Sequence, residues 1–332
     1  MIRVGLAGTG SMGLTHAQAY ATIPGVVVAA VLDIDRDRAV QLAATVGAHP
    51  YSDLDAMLEA EKLDVVDCCL PTAQHRITVE RAAQYGCHVI CEKPLTLTVA
   101  DGQAMIAATR AAGTQLLVGQ VVRFFPEFQR IASALREGRI GTPVSLTMLR
   151  QGSSPGGSRS WYLDETQSGG IFLDMMIHDF DWALHHLGPA ERVYARLVQR
   201  FEPRAFTQGM ATIRHTSGAL SQITGTWGHP GPFTTMVELA GDGGLLQHNS
   251  SESTPIILYA ETAPREPGDV PLPDLSVTNP YRVELAHFVD VLAGRAESLV
   301  RPEEALAALS LALSARASAA TNQAQVVEVV AA

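Results

Sequence analysis

The hexapeptide Gly8-Thr9-Gly10-Ser11-Met12-Gly13 carries three glycines at the spacing a backbone needs to cradle a pyrophosphate. The first makes a tight turn off a strand. The second lets the main chain approach phosphate oxygens, and the third lets the next helix pack close to that strand. The helix N-terminus behind them offers unpaired N–H groups and the positive end of its dipole to an anion. Asp33 ends the next apolar run, twenty residues past Gly13, where a carboxylate can take ribose hydroxyls. Without that context the loop would be an ordinary glycine-rich turn. With it, a dinucleotide site is expected. A carboxylate at position 33 repels a 2′-phosphate, so NAD is expected over NADP, although Arg36 and Arg38 stand close by.

Two further groups could do chemistry. Glu92-Lys93-Pro94 directly follows an apolar strand, and ligands of open parallel sheets bind beyond the carboxyl ends of strands. Lys93 is therefore expected at the nicotinamide end of the cofactor; a solvated surface charge is the alternative. In the segment from Gly169-Gly170 onward, Asp174 and His178 are four apart on a helical pattern and should share one face. A carboxylate beside an imidazole can fix its tautomer and tune its basicity. A hydrogen-bonded core pair fits the same spacing. His185 and His186 follow, but no third ligand completes a zinc set, so no metal site is expected.

These groups need a scaffold. Apolar runs at 2–7, 26–32, 65–70, 88–91 and 115–118 alternate with helical patterns at 12–22, 36–46, 54–60, 73–85 and 99–112. Such alternation predicts an α/β Rossmann domain with a parallel sheet covered on both faces. After a helix at 123–138 the pattern changes. A strand at 142–150, a loop and amphipathic helix over 161–188, and strands at 192–199, 210–215, 219–227, 234–240, 244–248 and 256–259 predict an α+β domain. Its sheet should be large, open and mostly antiparallel. Pro-capped helices at 280–292 and 302–320 close the chain. The expected domains are 1–119, binding the dinucleotide, and 120–332, binding substrate and forming oligomers. The last helix is expected to pack back on the first domain. The Gly- and Ser-rich loop 151–160 could be a mobile entrance or a passive surface loop, and 264–273 reads as a Pro-rich loop.

Composition narrows the class. The 332 residues are 47% hydrophobic and carry a net charge of −10, so nothing draws the chain to nucleic acid or anionic lipid. No apolar run is long enough for a membrane span. The N-terminus reads as a strand and not a targeting signal, so a cytoplasmic protein is expected. The cysteines at 68, 69, 87 and 91 read as reduced, mostly buried thiols.

Together, Gly8–Gly13, Glu92-Lys93-Pro94 and Gly169-Gly170 with Asp174 and His178 resemble the Gfo/Idh/MocA oxidoreductases, the family of glucose–fructose oxidoreductase and inositol 2-dehydrogenase. Pro71-Thr72 with His75, Gly119-Gln120 with Arg123-Phe124 and Pro126, and Trp161 fit the same family, so the resemblance covers nearly the whole chain. It implies that Lys93 binds the substrate hydroxyl and helps hold the nicotinamide, and that Asp174 and His178 sit over that ring. His178 would accept or donate the proton. Gly8, Gly10, Ser11, Met12, Gly13, Asp33, Pro71, Thr72, His75, Glu92, Lys93 and Gln120 would bind the cofactor. Arg123, Phe124, Trp161 and Tyr162 would be substrate contacts. The resemblance also implies a homodimer or homotetramer formed through the outer face of the second sheet, which strand 218–227 would suit.

The activity expected is hydride transfer between a nicotinamide and a secondary alcohol or ketone of a sugar or cyclitol. Two alternatives stay open. One is a redox-neutral enzyme that uses tightly bound NAD transiently, as in glycoside cleavage. The other is a non-catalytic NAD-binding regulator.

Overall fold

Near-continuous apolar runs become the strands of a parallel sheet, because both of its faces are buried. These are β1 (Ile2–Ala7), β2 (Val26–Leu32), β3 (His49–Tyr51), β4 (Val65–Cys68), β5 (His88–Glu92) and β6 (Leu116–Gly119). Their order is β3-β2-β1-β4-β5-β6, with every pair parallel. The helices between them are α1 (Ser11–Tyr20), α2 (Arg36–Val46), α3 (Leu54–Ala60), α4 (His75–Gln84) and α5 (Val99–Ala112). Strand order reverses between β1 and β4, which opens a crevice at the carboxyl ends of those strands. The computed structural model describes residues 1–154, 160–200, 205–252, 256–260, 268–269 and 279–328.

The second region contains α6 (Pro126–Arg136), β7 (Pro143–Gly152), α7 (Glu165–Ser168), α8 (Gly170–Asp174), α9 (Ile177–Leu187), β8 (Ala190–Arg200), β9 (Phe206–His215), β10 (Leu220–Trp227), β11 (Thr234–Gly241), β12 (Gly244–Asn249), β13 (Ile256–Ala260) and β14 (Gly268–Asp269). Then come α10 (Pro280–Leu292), α11 (Pro302–Thr321) and β15 (Gln325–Val326). Among the described residues the sheet runs β14-β13-β12-β11-β7-β10-β9-β8-β15. Only its β7–β10 pair is parallel. Alternating burial along β9 gives the sheet one core face and one exposed face. On the core side Phe128 meets Trp182 and His248 edge-on, at 5.8 and 6.0 Å between ring centroids.

The chain divides into two compact units, Met1–Phe124 with Val277–Leu306, and Phe125–Ser276 with Ala307–Ala332. The segment around α10 joins the first unit because α10 packs along α1. Arg282 Nε donates to Thr22 Oγ1 at 3.0 Å. The first turn of α11 follows, through Glu303–Arg110 and Glu304–Arg123 ion pairs of 2.5 and 2.9 Å. Farther along the same helix, Ser318 Oγ accepts the Ala195 N–H of β8 at 2.9 Å, so its later turns belong to the second unit.

Several boundaries differ from the sequence reading. The run at 65–70 leaves strand geometry at Cys68, where the chain turns toward Pro71. β3 is an edge strand of three residues containing Pro50, too short to show a period. The expected helix within 161–188 is three helical pieces preceded by a 3₁₀ turn at Ser160–Leu163. Gln151 and Gly152 end β7, while residues 155–159 of the expected loop lie outside the described residues, as does most of 264–273. All four cysteines are free, and three are buried. No described helix is long and apolar enough to cross a membrane.

Candidate active site

The glycine loop leaves β1 at the switch point, and its three glycines have different surroundings. Gly8 has φ +101°, and a Cβ built on it would stand 2.6 Å from the Cys69 carbonyl oxygen. A Cβ on Gly13 would lie 1.9 Å from the Gly8 carbonyl oxygen, so the loop closes directly onto α1. A Cβ on Gly10 would meet nothing within 4 Å. Two glycines therefore serve packing, and the third faces open space. Gly10 is also the N-cap of α1, with no side-chain cap and no acidic residue in the first turn. The free N–H groups of Ser11 and Met12 thus start a helix suited to an anion.

Asp33 follows β2 and is buried. Its Oδ2 accepts the Thr9 N–H at 2.9 Å and the Thr9 hydroxyl, and Oδ1 accepts the Asp35 N–H at 3.0 Å. Burial alone would raise its pKa. The hydrogen bonds from Thr9 and Asp35, with the Arg38 charge, outweigh burial and hold the carboxyl below the ordinary carboxylate range. Arg38 also donates to the Thr9 carbonyl at 3.2 Å.

The exits of β4, β5 and β6 carry the remaining expected residues of this unit. Pro71 is half-buried, Thr72 is buried, and His75 bridges two loops. His75 Nε2 lies 2.9 Å from the Leu70 carbonyl, and Nδ1 lies 3.1 Å from that of Pro94. Glu92 is buried, and its Oε2 accepts the N–H of Lys93 at 3.0 Å. Lys93 is half-buried just beyond β5. Gln120 is buried just after β6, and its Oε1 has no hydrogen-bond partner among the described residues. Arg123 donates to the Leu299 carbonyl at 2.6 Å and pairs with Glu304, while Phe124 packs on His287 and Phe288. The structure thus ties both of these expected substrate contacts to α10 and the start of α11.

In the second unit, Gly169 and Gly170 have φ of +76° and +74°, and a Cβ on Gly169 would collide with Leu173. This double left-handed turn starts α8, which Asp174 ends. The sequence reading put Asp174 and His178 on one continuous helix. The structure breaks that helix at Met175-Met176, and His178 lies in the first turn of α9. The reason lies in the sheet beneath. Gly209 of β9 and Gly225 of β10 are paired in register, and Cβ atoms there would stand 2.7 and 2.5 Å from the Met176 side chain. The two glycines make a depression that draws Met176 down and interrupts the helix ladder. Asp174 and His178, both half-buried, flank that junction.

A buried ion pair holds the start of α9. Arg150 Nη2 and Nε of β7 lie 2.6 and 3.0 Å from the two oxygens of Asp179, and both side chains are almost fully buried. Trp161 and Tyr162 stack at 3.9 Å on the 3₁₀ turn that precedes α7.

Sequence reasoning missed four residues near the Lys93 end of the first unit: His16, Asp67, Tyr281 and Glu284. Asp67 had a signal, since a charged residue interrupts the apolar run of β4. His16 lies one turn past Gly13 on α1. Nothing local marks Tyr281 or Glu284 on the distant α10.

The groups present suit a dinucleotide. The open side of Gly10, the uncapped start of α1, the Asp33 carboxylate and the unpartnered Gln120 oxygen all stand at the carboxyl ends of the parallel strands. Comparison with known proteins agrees. Residues 2–120 match the family model described as an oxidoreductase family with an NAD-binding Rossmann fold, and 128–247 match the GFO/IDH/MocA C-terminal domain. Myo-inositol 2-dehydrogenase of Thermotoga maritima is 31% identical over 80% of this chain and 80% of its own. Inositol 2-dehydrogenase of Rhizobium meliloti is 28% identical over 97% of this chain and 98% of its own. The crystal structure of a probable dehydrogenase from Thermotoga maritima superposes with a TM-score of 0.84 at 27% identity, covering 99% of this chain and all of that one.

Proposed function

The chain belongs to the Gfo/Idh/MocA family of NAD-dependent oxidoreductases, and from that premise we propose that it interconverts a secondary alcohol and a ketone on a sugar or cyclitol. The observation that carries this reading is Lys93 at the carboxyl end of β5, its backbone held by the buried Glu92. The relatives' names, inositol dehydrogenases among them, support the substrate class.

The glycine loop and α1 would hold the pyrophosphate of NAD, and Asp33 the ribose hydroxyls. Pro71, Thr72, His75, Glu92, Lys93 and Gln120 would line the rest. NAD, when bound, supplies the hydride acceptor for oxidation and the donor for reduction. The protein's side chains handle the proton and the charge on oxygen. A secondary alcohol releases hydride only as its hydroxyl proton departs. His178 takes that proton, and the Lys93 ammonium stabilises the alkoxide that develops. Asp174 orients His178 or accepts a neighbouring hydroxyl of the substrate. A charge aimed at a developing oxyanion in a dry site is worth several kcal/mol. Trp161 and Tyr162 offer a stacked aromatic wall for a sugar face, and Arg123 and Phe124 would be the other substrate contacts. NAD is preferred over NADP because the ionised Asp33 repels a 2′-phosphate.

The test is NADH formation by the purified protein with a panel of inositols, aldoses and ketoses. Lys93→Ala and His178→Ala are expected to keep NAD binding and lose most of kcat/KM. Near-normal turnover by either variant removes that residue from the scheme. NAD bound without net NADH formation on any substrate points to redox-neutral chemistry instead. A tenfold or greater preference for NADP, about 1.4 kcal/mol, overturns the role given to Asp33.

The same reading includes a cytoplasmic homodimer or homotetramer. Tyr194, Val198, Met210 and Leu220 are 42–50% exposed on one face of β8, β9 and β10. Met210→Asp with Val198→Asp is expected to shift the particle to monomer in light scattering; an unchanged mass places the interface elsewhere.

A further inference from the structure

Behind the glycine loop, the first unit buries a set of ionisable groups that the scheme above leaves idle. His16 of α1 is almost fully buried, with Nδ1 2.8 Å from Asp67 Oδ2 and Nε2 3.2 Å from Glu92 Oε1. The second contact has ion-pair distance without hydrogen-bond alignment. Tyr20 donates to the same Asp67 oxygen at 2.8 Å, and Cys69 Sγ lies 3.3 Å from His16 Nδ1. From α10, the Tyr281 ring comes within 6.3 Å of the His16 ring, and Glu284 is fully buried. Neither Glu284 oxygen has a hydrogen-bond partner among the described residues.

Geometry assigns the charges. An imidazole whose two nitrogens face two carboxylates is best accommodated with both nitrogens protonated. A buried carboxylate without a partner is costly, so Glu284 is better neutral. The electrostatics agree. Burial would lower the His16 pKa, but the Asp67 charge and hydrogen bond, with Cys69, push it well above the usual histidine range. Burial first, then the Glu92 charge, push Glu284 well above the usual carboxylate range. The titratable groups around this centre are Tyr20 on α1, Asp67 and Cys69 at the end of β4, Glu92 and Lys93 at the end of β5, and Tyr281 and Glu284 on α10.

We propose that His16 is a positioning residue for Lys93, acting through Glu92. Its imidazolium balances Asp67 and Glu92, and so holds the Glu92 carboxylate in place as the acceptor that fixes the Lys93 backbone. The available space matches this role. A Cβ on Gly119 would stand 3.2 Å from Glu92 Oε1, so the glycine leaves room for the carboxylate beside His16. Without the cation, the buried Glu92 carboxylate would lose the positive charge beside its Oε1 and weaken its hold on Lys93. The proposal rests on the catalytic role given to Lys93, and its tests separate the two.

The charge state is read first on wild-type protein, by nitrogen NMR of labelled histidine rings, with His16 assigned through contacts to Tyr20 and Tyr281. Both ring nitrogens should remain protonated at neutral pH, where a free histidine is mostly neutral. A neutral His16 ring at pH 7 overturns the proposal. In His16→Gln, the acid limb of kcat/KM should move to higher pH, with turnover lowered on the acid side and recovering as pH rises. The NAD dissociation constant should stay within about threefold. A purely structural residue would lower turnover evenly across pH, and an unmoved acid limb rejects the idea. If wild type reduces no NAD, the dehydrogenase reading fails, yet the link to Lys93 is still measurable. Lys62 and Lys93 are the only lysines in the chain. After reductive carbon-13 methylation, with Lys62→Arg for assignment, the Lys93 titration should shift by about half a unit or more in His16→Gln. An unchanged Lys93 titration breaks the link.

Discussion

The two halves of the proposed machinery are positioned by the same device at different ranges. In the first unit, Gly8 and Gly13 let a loop close onto its own helix, the two glycines standing five positions apart. In the second, Gly209 and Gly225 make a depression for Met176 from strands more than thirty residues away in sequence. Both remove a Cβ so that another part of the chain can approach, a backbone carbonyl in the first and the Met176 side chain in the second. The first is a local motif. The second exists only once β9 and β10 are in register.

The largest effect is expected from Gly13→Ala. Its Cβ would land 1.9 Å from a backbone oxygen that has nowhere to go, and such a clash belongs with the rare substitutions costing about 4 kcal/mol or more. Urea denaturation should show it, along with loss of NAD binding. Normal stability would mean that the loop adapts and is not the rigid half. Next is Arg150→Met, which leaves Asp179 buried and unpaired at the start of α9. Breaking such a pair typically costs about 3–5 kcal/mol. A cost below about 1 kcal/mol would show that this pair does not hold His178's helix.

Gly225→Ala should cost about 1–3 kcal/mol as Met176 is forced aside. It should lower kcat and leave NAD affinity unchanged, because the strain falls at the Asp174–His178 junction. Weakened NAD binding instead would erase the contrast between the halves. Gly10→Ala is the sharper control. Its φ of −69° suits alanine and its Cβ meets no atom, so stability should change by less than about 1 kcal/mol. NAD affinity should nevertheless fall about tenfold or more, because the methyl fills the side kept open for phosphate.

The smallest effect is a pH dependence. The folded Asp33 carboxyl titrates below its ordinary range. Its contribution is therefore complete above the unfolded value of about 3.9 and is lost as pH falls through the lower folded value. Asp33→Asn should flatten that part of the acid-unfolding curve. An unaltered curve would show that Thr9 and Asp35 do not stabilise the ionised form.

Most of the parallel sheet is legible in the chain because buried strands are continuous apolar runs with helices between them. β3 escapes that reading because three residues containing Pro50 carry no period. The glycine loop is legible because its constraints are a few residues apart. The Asp174–His178 spacing is visible, but the reading of one smooth helix is not what the structure has. Helical periodicity says nothing about a depression in a sheet not yet folded.

The sequence by itself determined the class of each half: a parallel sheet with a phosphate-cradling loop, then an open, mostly antiparallel sheet. It also marked Gly8–Gly13, Asp33, Lys93, Asp174 and His178, because each belongs to a short motif whose chemistry depends on near neighbours. Only tertiary structure decided that α10 returns to the first unit, bringing Tyr281 and Glu284 to His16. It alone decided that Gly209 and Gly225 lie side by side beneath Met176. The reason is the range of the forces involved. Turn geometry and hydrogen-bonded caps act over a few residues, whereas burial and close packing act on whatever the fold brings together.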